Sequence, residues 1–422
     1  MALISLLDDP NESFSNDQSF VGADTFVVVL GEQNTVTNSG VLWTVNNDDA
    51  IVLQTDSTNA TVTNTATGYV RGGLSAVFVG GSATINNGGQ MIGVATGVDV
   101  DSATVVKVNN VFGGTIRSDG VGVRFHAGNG SEIANDGVVY GATGVELGAS
   151  TKLTNTGEIG GSMAAVVTKG DTTIVNADVG TIWSSGDAIS VLGGKATITN
   201  DADSLITGGQ SAIATTDGVA TSSSRITLTN LGTIEGPIRC GATQGDVVDT
   251  IINKGTLTDH VELGAGNDLF NGSGGSSVEV YGEADDDILI GSTYGDALSG
   301  GSGLDFLQGG LGSDELLGGA GRDFFDFNSI AESKVGANHD LILDFERGID
   351  DIDLAGIDAK TGQGNQAFKF IGTQAFHKVK GELHYKDLGA SCLVQGDVNG
   401  DGRADFEILV NAASLSAGDF VL

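Results

Sequence analysis

Residues 282–326 repeat every nine positions, five times and without slippage: GEADDDILI, GSTYGDALS, GGSGLDFLQ, GGLGSDELL and GGAGRDFFD. Asp287, Asp296, Asp305, Asp314 and Asp323 occupy one place in that period, and Leu289, Leu298, Leu307, Leu316 and Phe325 the place two residues on. A glycine–aspartate linker keeps no register of this kind. A nonapeptide with turn glycines, one aspartate and one apolar residue winds instead into a parallel β-roll, two repeats to a coil. Each turn then lies above the turn two repeats earlier. One row of carboxylates runs through Asp287, Asp305 and Asp323, and the opposite row through Asp296 and Asp314.

Turn glycines reach backbone conformations with positive φ and aim carbonyl oxygens inward. Those in place are Gly282, Gly300, Gly303, Gly309, Gly312, Gly318 and Gly321. Carbonyls and carboxylates together make an oxygen-only ligand set, which suits calcium. Asp268, in Gly264-Ala265-Gly266-Asn267-Asp268-Leu269-Phe270, adds an earlier repeat; residues 272–281 separate it from the rest and lack the aspartate. These repeats resemble the RTX family of bacterial proteins exported by type I secretion. The resemblance implies several calcium ions, bound with dissociation constants on the order of 10⁻⁴ M as in extracellular modules. It also implies a chain that passes unfolded through the type I secretion machinery and folds outside the cell.

The charge agrees with a need for cations. Of 422 residues 54 are acidic and 19 basic, a formal charge of −35, which argues against nucleic acid and anionic membrane surfaces as partners. The 67 glycines and 6% aromatic content do not suit a helical globule, and the glycines follow no G-X-Y triplet. No apolar run approaches the roughly 20 residues of a membrane span. Residues 1–14, MALISLLDDPNESF, have neither the basic start nor the apolar length of a Sec signal. Cys240 and Cys392 lie far apart in sequence and read as two unpaired buried thiols.

Upstream of the nonapeptides a looser repeat runs: apolar, asparagine two later, glycine or a small residue two later, then apolar again, as in Leu153-Thr154-Asn155-Thr156-Gly157-Glu158-Ile159. It aligns Asn38, Asn64, Asn87, Asn110, Asn135, Asn155, Asn176, Asn200, Asn230 and Asn253, about 24 residues apart on average. Period-two alternation inside such a repeat predicts short parallel strands wound into a right-handed β-helix, with the asparagines as a ladder of turn residues along one edge. This half resembles the β-helical passengers of bacterial adhesins and haemagglutinins.

After Asp326 the sequence becomes that of an ordinary α+β segment. Its succession of Phe325-Asp326-Phe327, His339-Asp340-Leu341-Ile342-Leu343-Asp344-Phe345, Asp350-Asp351-Ile352-Asp353-Leu354 and Gly396-Asp397-Val398-Asn399-Gly400-Asp401-Gly402 resembles the C-terminal domain of serralysin-like metalloproteases. That resemblance implies an uncleaved export signal at Asp419-Phe420-Val421-Leu422. Asp397, Asn399, Asp401 and Asp405 sit at positions 1, 3, 5 and 9 of a calcium-type loop, with Ile408 where its last ligand belongs.

The fold expected is all-β: a parallel β-helix of about ten coils over residues 34–262, continuing into an RTX β-roll over 263–326. A terminal cap or first strand precedes it at 1–33, built on residues 25–30 (TFVVVL), and a small α+β/β cap domain follows at 327–422. None of the five histidines, His126, His260, His339, His377 and His384, forms an H-E-x-x-H zinc site. The function expected is that of a secreted, non-enzymatic surface-layer, matrix or adhesion protein, self-associating and in contact with polysaccharide or a cell surface. The alternatives are a polysaccharide lyase or epimerase, with Asp99, Asp101, Asp119, Arg117 and Arg124 as candidates, and a calcium-folded carrier module. Trp43 and Trp183 are candidate sugar platforms.

Overall fold

The computed structural model describes residues 5–22, 24–101, 104–127, 130–215, 224–241, 247–360 and 364–422. The part of the leader reading that concerns residues 1–4 lies outside them. The chain forms two compact units, residues 1–238 and 239–422. Both are parallel β-solenoids, with about 14 turns in all and no α-helix among the described residues.

In the first unit a coil consists of three short strands, such as Thr115–Ser118, Val121–Phe125 and Glu132–Asn135. Each pairs in parallel with its counterpart one coil away. Alternation turns apolar side chains inward from each face, and Ile116, Val123, Phe125 and Ile133 are all but fully buried. Register stacks like upon like, so that Val62, Ile85, Val108, Ile133, Leu153 and Ile174 form one interior column. Each such side chain contributes about 1.5–3 kcal/mol on burial, and no coil covers its own apolar side alone.

A second column is polar. The carboxamide Nδ2 of each asparagine donates to Oδ1 of the asparagine one coil on, from Asn16 to Asn230, at 2.7–2.9 Å throughout. It also meets the turn backbone, as where Asn110 donates to the carbonyls of Gly114 and Val138. The glycines after the asparagines are forced by crowding: a Cβ on Gly114 would lie 2.3 Å from the Asn87 carbonyl and 2.6 Å from Asn110 Oδ1.

Asn16 begins this row, which corrects the expectation that coils start near residue 34. Among the described residues of 1–33 there are four strands rather than one: Ser5–Leu7, Ser13–Asn16, Ser19–Gly22 and Val27–Val29. Of the TFVVVL stretch only Val27–Val29 is strand, and it is paired on both sides, with Ser5–Leu7 and Ile51–Leu53. The polar strands were hidden because Ser13–Asn16 turns only Asn16 fully inward.

The second unit winds more tightly. One face stacks Leu269–Asn271, Ile288–Ile290, Phe306–Gln308 and Phe324–Asp326; the other stacks Glu279–Ala284, Ala297–Gly303 and Glu315–Gly321. The roll does not stop at Asp326. Asp340–Ile342 joins the second face and Asp351–Asp353 the first, and Phe420–Val421 lies beyond Asp351–Asp353. The expected α+β character of residues 327–422 is also corrected. Glu382–Asp387, Cys392–Asp397 and Phe406–Val410 form an antiparallel meander, and the nearest thing to a helix is the three-residue 3-10 turn Ala417–Asp419. Turn-forming Gly, Asp and Asn interrupt this segment too often for a 3.6-residue apolar repeat to develop. Cys240 and Cys392 are buried free thiols.

Candidate metal centre

The tight coils bring the aspartates into two rows. In the first, the backbone N–H of each aspartate donates to Oδ1 of the aspartate one coil on: Asp249 to Asp268, then Asp287, Asp305, Asp323 and Asp350, at 2.7–3.1 Å. In the second, Asp296 donates to Asp314 and Asp314 to Asp340, at 2.8 and 2.9 Å. Val278 takes the place of an aspartate at the head of this row, its N–H on Asp296 Oδ1. The two rows follow the nine-residue period and extend past it. Asp340 and Asp350 are members that the period missed, 26 and 27 residues from their partners instead of 18. Their signal was local: each is followed two residues later by an apolar residue, Ile342 or Ile352.

One carboxylate oxygen of each accepting aspartate is thus satisfied; the second is satisfied in Asp350, where it accepts the Glu346 N–H at 2.7 Å, but not in six others. Oδ2 of Asp268, Asp287, Asp305, Asp314, Asp323 and Asp340 is buried without a hydrogen-bond partner. Burial first, and neighbouring carboxylates second, push Asp287 and Asp340 up to about 8 and Asp314 to about 7; burial also holds Asp268, Asp305 and Asp323 at about 6. Six orphaned anionic oxygens are a large electrostatic liability in a fold.

The turns are built around those oxygens. A Cβ on Gly282, Gly300, Gly309 or Gly318 would stand 2.3–2.4 Å from Oδ2 of Asp287, Asp305, Asp314 or Asp323. Gly303, Gly312 and Gly321 have φ of +146°, +149° and +140°. In the first repeat Asp285 takes the equivalent place at 73°, and Glu283 at 77° the place of Gly301, Gly310 and Gly319, both against the preference of side-chain-bearing residues. The donor set is all oxygen, anionic and unsatisfied, which fits a hard divalent cation of calcium's type. Asp268, Asp287, Asp305, Asp314, Asp323 and Asp340 are the residues that would hold it, and its charge would replace the missing hydrogen bonds.

Asp296 differs. Its Oδ2 accepts the Ser292 N–H at 2.5 Å, and its turn has Ser292 and Tyr294 where the three later repeats have glycine. The loop with Asp397, Asn399, Asp401 and Asp405 is a hairpin turn closed on itself. Asp397 accepts the N–H groups of Gly400 and Gly402, Asp405 those of Val398 and Asn399, and Asp401 that of Arg403.

A family model of the peptidase M10 serralysin C-terminal region matches residues 158–422. The chain belongs to that family. The match reaches far upstream of residues 324–422, which carried the resemblance in sequence, and takes in asparagine-bearing coils of the first unit as well as both aspartate rows. No curated protein matches the chain. For this member of the serralysin C-terminal family, the aspartate rows and the family together point to calcium as the cation.

The candidates for sugar chemistry are not gathered into one cluster. Asp99, Arg124 and Glu146 are neighbours in register, with Arg124 3.8 Å from Asp99 and 3.7 Å from Glu146. His126 lies 2.9 Å from Asp99. Arg117 and Asp119 line a separate depression with Arg71, and Asp101 is exposed. The other histidines have unrelated partners: His260 with Asp259 and Glu262, His377 with Glu382, His384 with Gln395.

Proposed function

We propose that this protein is a secreted, calcium-folded, non-enzymatic solenoid that serves as an extracellular structural, surface-layer, matrix or adhesion protein. The observation that carries the reading is the set of six buried Oδ2 atoms without partners. Such a roll is unstable wherever calcium is scarce and complete wherever it is plentiful, which suits a chain made in the cytosol and used outside it. Membership of the serralysin C-terminal family supports type I export. Asp419-Phe420-Val421-Leu422, read as the export signal, fold into the last coil, where Phe420 packs on Phe370 at 5.2 Å and Asp419 accepts the Gly348 N–H. An exporter would meet these residues as a free segment only before folding. Against an enzyme stands the mutual neutralisation of Arg124 by Asp99 and Glu146.

The test is localisation in cells that carry a type I exporter. The full chain is expected in the medium or on the cell surface, with cytosolic chain protease-sensitive until calcium is added. Accumulation of a folded, calcium-loaded chain in the cytosol would overturn the reading. Release of reducing or unsaturated sugar ends from polysaccharide by the purified protein would replace it with the lyase or epimerase alternative.

A further inference from the structure

The outward face of the first unit carries a row that the metal chemistry does not use. Strand register places Trp43, Arg71, Ile92, Arg117 and Tyr140 side by side on five successive coils. Gly160 comes next and then Trp183. The chain has only two tryptophans, and both are in this row. The Arg71 guanidinium lies over the Trp43 ring at 5.0 Å. At the other end Trp183 lies across Gly160, where a Cβ would come within 2.6 Å of the indole, and its ring is 5.8 Å from that of Tyr140. Its Nε1 is held by Glu158 at 2.7 Å. Between the two aromatic ends a depression of about 250 Å³ is lined by Arg71, Ile92 and Arg117 together with Ser118 and one carboxylate, Asp119, which forms no ion pair with either arginine.

The row places two positive charges, Arg71 and Arg117, on one line of a strongly acidic molecule. With 54 acidic side chains against 19 basic ones, a cation here has many carboxylates to choose from. Arg124 has two, and Lys169 and Lys107 have one each. Among the described residues, Arg71 and Arg117 are paired with none. Two free guanidiniums between aromatic platforms match a ligand that is anionic, flat-faced and extended along the stack.

We propose that Trp43, Arg71, Ile92, Arg117, Tyr140 and Trp183 form a binding track for a linear anionic polysaccharide lying parallel to the stack of coils. Adjacent strands are about 4.8 Å apart, so Arg71 and Arg117, two coils apart, recur at about 10 Å. In an extended two-fold glycan alternate sugars turn their acid groups to the same side, at a similar interval. The aromatic rings stack on sugar faces and each arginine takes a carboxylate or sulfate in bidentate fashion. The proposal rests on the extracellular reading above and names the ligand class that such a surface would hold.

The chain's own tryptophans report the test. A hexamer of β-1,4-linked glucuronate and its uncharged parent, cellohexaose, are titrated into the full chain at saturating calcium while tryptophan fluorescence is followed. The charged hexamer is expected to change the emission saturably and to bind at least tenfold more tightly than cellohexaose. R71Q/R117Q is expected to weaken it at least tenfold, with calcium-dependent folding and export unchanged. Equal binding of the two hexamers, no saturable change, or full binding by R71Q/R117Q would overturn the proposal. So would a sugar-independent, concentration-dependent change lost in R71Q/R117Q, which would make the face an interface between copies. Failure of export by the wild-type chain would strike the extracellular reading instead, whatever the sugar result.

Discussion

Asn110 and Asp305 occupy comparable places in the two units. Both are buried in a turn, both hydrogen-bond to the same residue type one coil on, and both repeat as a row. They differ in one group, an NH₂ for an anionic oxygen. The carboxamide donates and accepts, so the asparagine row completes its own hydrogen bonds and stays neutral. The carboxylate only accepts, so Asp268, Asp287, Asp305, Asp314, Asp323 and Asp340 each leave an oxygen over. A row of asparagines is a finished structure, whereas a row of aspartates is one half of a structure whose other half is a cation.

Removing calcium tests this contrast with the largest effect. At a hundredfold saturation each site contributes about 2.7 kcal/mol, and several together exceed the roughly 5–15 kcal/mol of a typical domain. Chelation at pH 7.5 is therefore expected to unfold residues 239–422 and leave 1–238 protected, as read by hydrogen exchange or limited proteolysis. Equal loss in both units would break the comparison.

Exchanging the two side chains sharpens it. Asn110→Asp sets an oxygen against Asn135 Oδ1 and the Val138 carbonyl, where a donor now stands at 2.8 and 3.1 Å. The expected cost is about 3–5 kcal/mol, as for a buried charge without a partner, against about 1–3 kcal/mol for Asn110→Ala. Asp305→Asn should lower calcium affinity while making the metal-free roll more ordered than Asp305→Ala does. Urea midpoints with and without calcium check both.

Protons offer a smaller lever of the same kind. The folded carboxyls of Asp287 and Asp340 titrate at about 8 and that of Asp314 at about 7, above the unfolded value of 3.8. Folding without metal takes up protons at these groups. Their contribution is fully present below pH 3.8 and is lost as pH rises through 7 to 8. The metal-free roll should therefore gain structure as pH falls from 8 toward 5, while calcium affinity weakens over the same range. Circular dichroism and calcium titration at each pH follow the two trends, and a metal-free roll insensitive to pH would count against the buried rows. The smallest effect is Glu283→Gly, which relieves a side-chain residue at φ 77°. A gain of about 1 kcal/mol is expected, read as a lower calcium midpoint for folding.

The rows were legible because side-chain period and coil period coincide. Asp287 predicts Asp305 and Asp323 by counting, and Asn110 predicts Asn135 by the residues on either side. Counting fails where a loop is inserted, which hid Asp340 and Asp350 although each keeps its apolar follower. It also fails where the turn changes chemistry. Asp296 has the right place in the period, but Ser292 satisfies its second oxygen. Of the arginine–tryptophan face only single members were legible, Trp43 and Trp183 as sugar platforms and Arg117 as a charged candidate, and not the row that joins them. Trp43 and Trp183 share a row only through the register of successive strand pairings, and outward positions follow no repeat that a reader of the sequence could count.

Both rows also have a direction. Asn110 donates to Asn135 and the Asp287 N–H to Asp305, so the donor belongs to the coil nearer the amino terminus and the acceptor to the coil after it. A coil laid down on the amino-terminal side of a finished one meets an oxygen already fixed and aimed at its incoming N–H. A coil laid down on the other side meets a main-chain carbonyl instead, as where Asp287 accepts the Phe306 N–H and Asn110 that of Asp136, both at 2.8 Å. Side chains thus bind each coil to the one after it and main-chain carbonyls bind it back, so a finished coil can template a neighbour on either side, through a carboxylate or carboxamide on one and a peptide oxygen on the other.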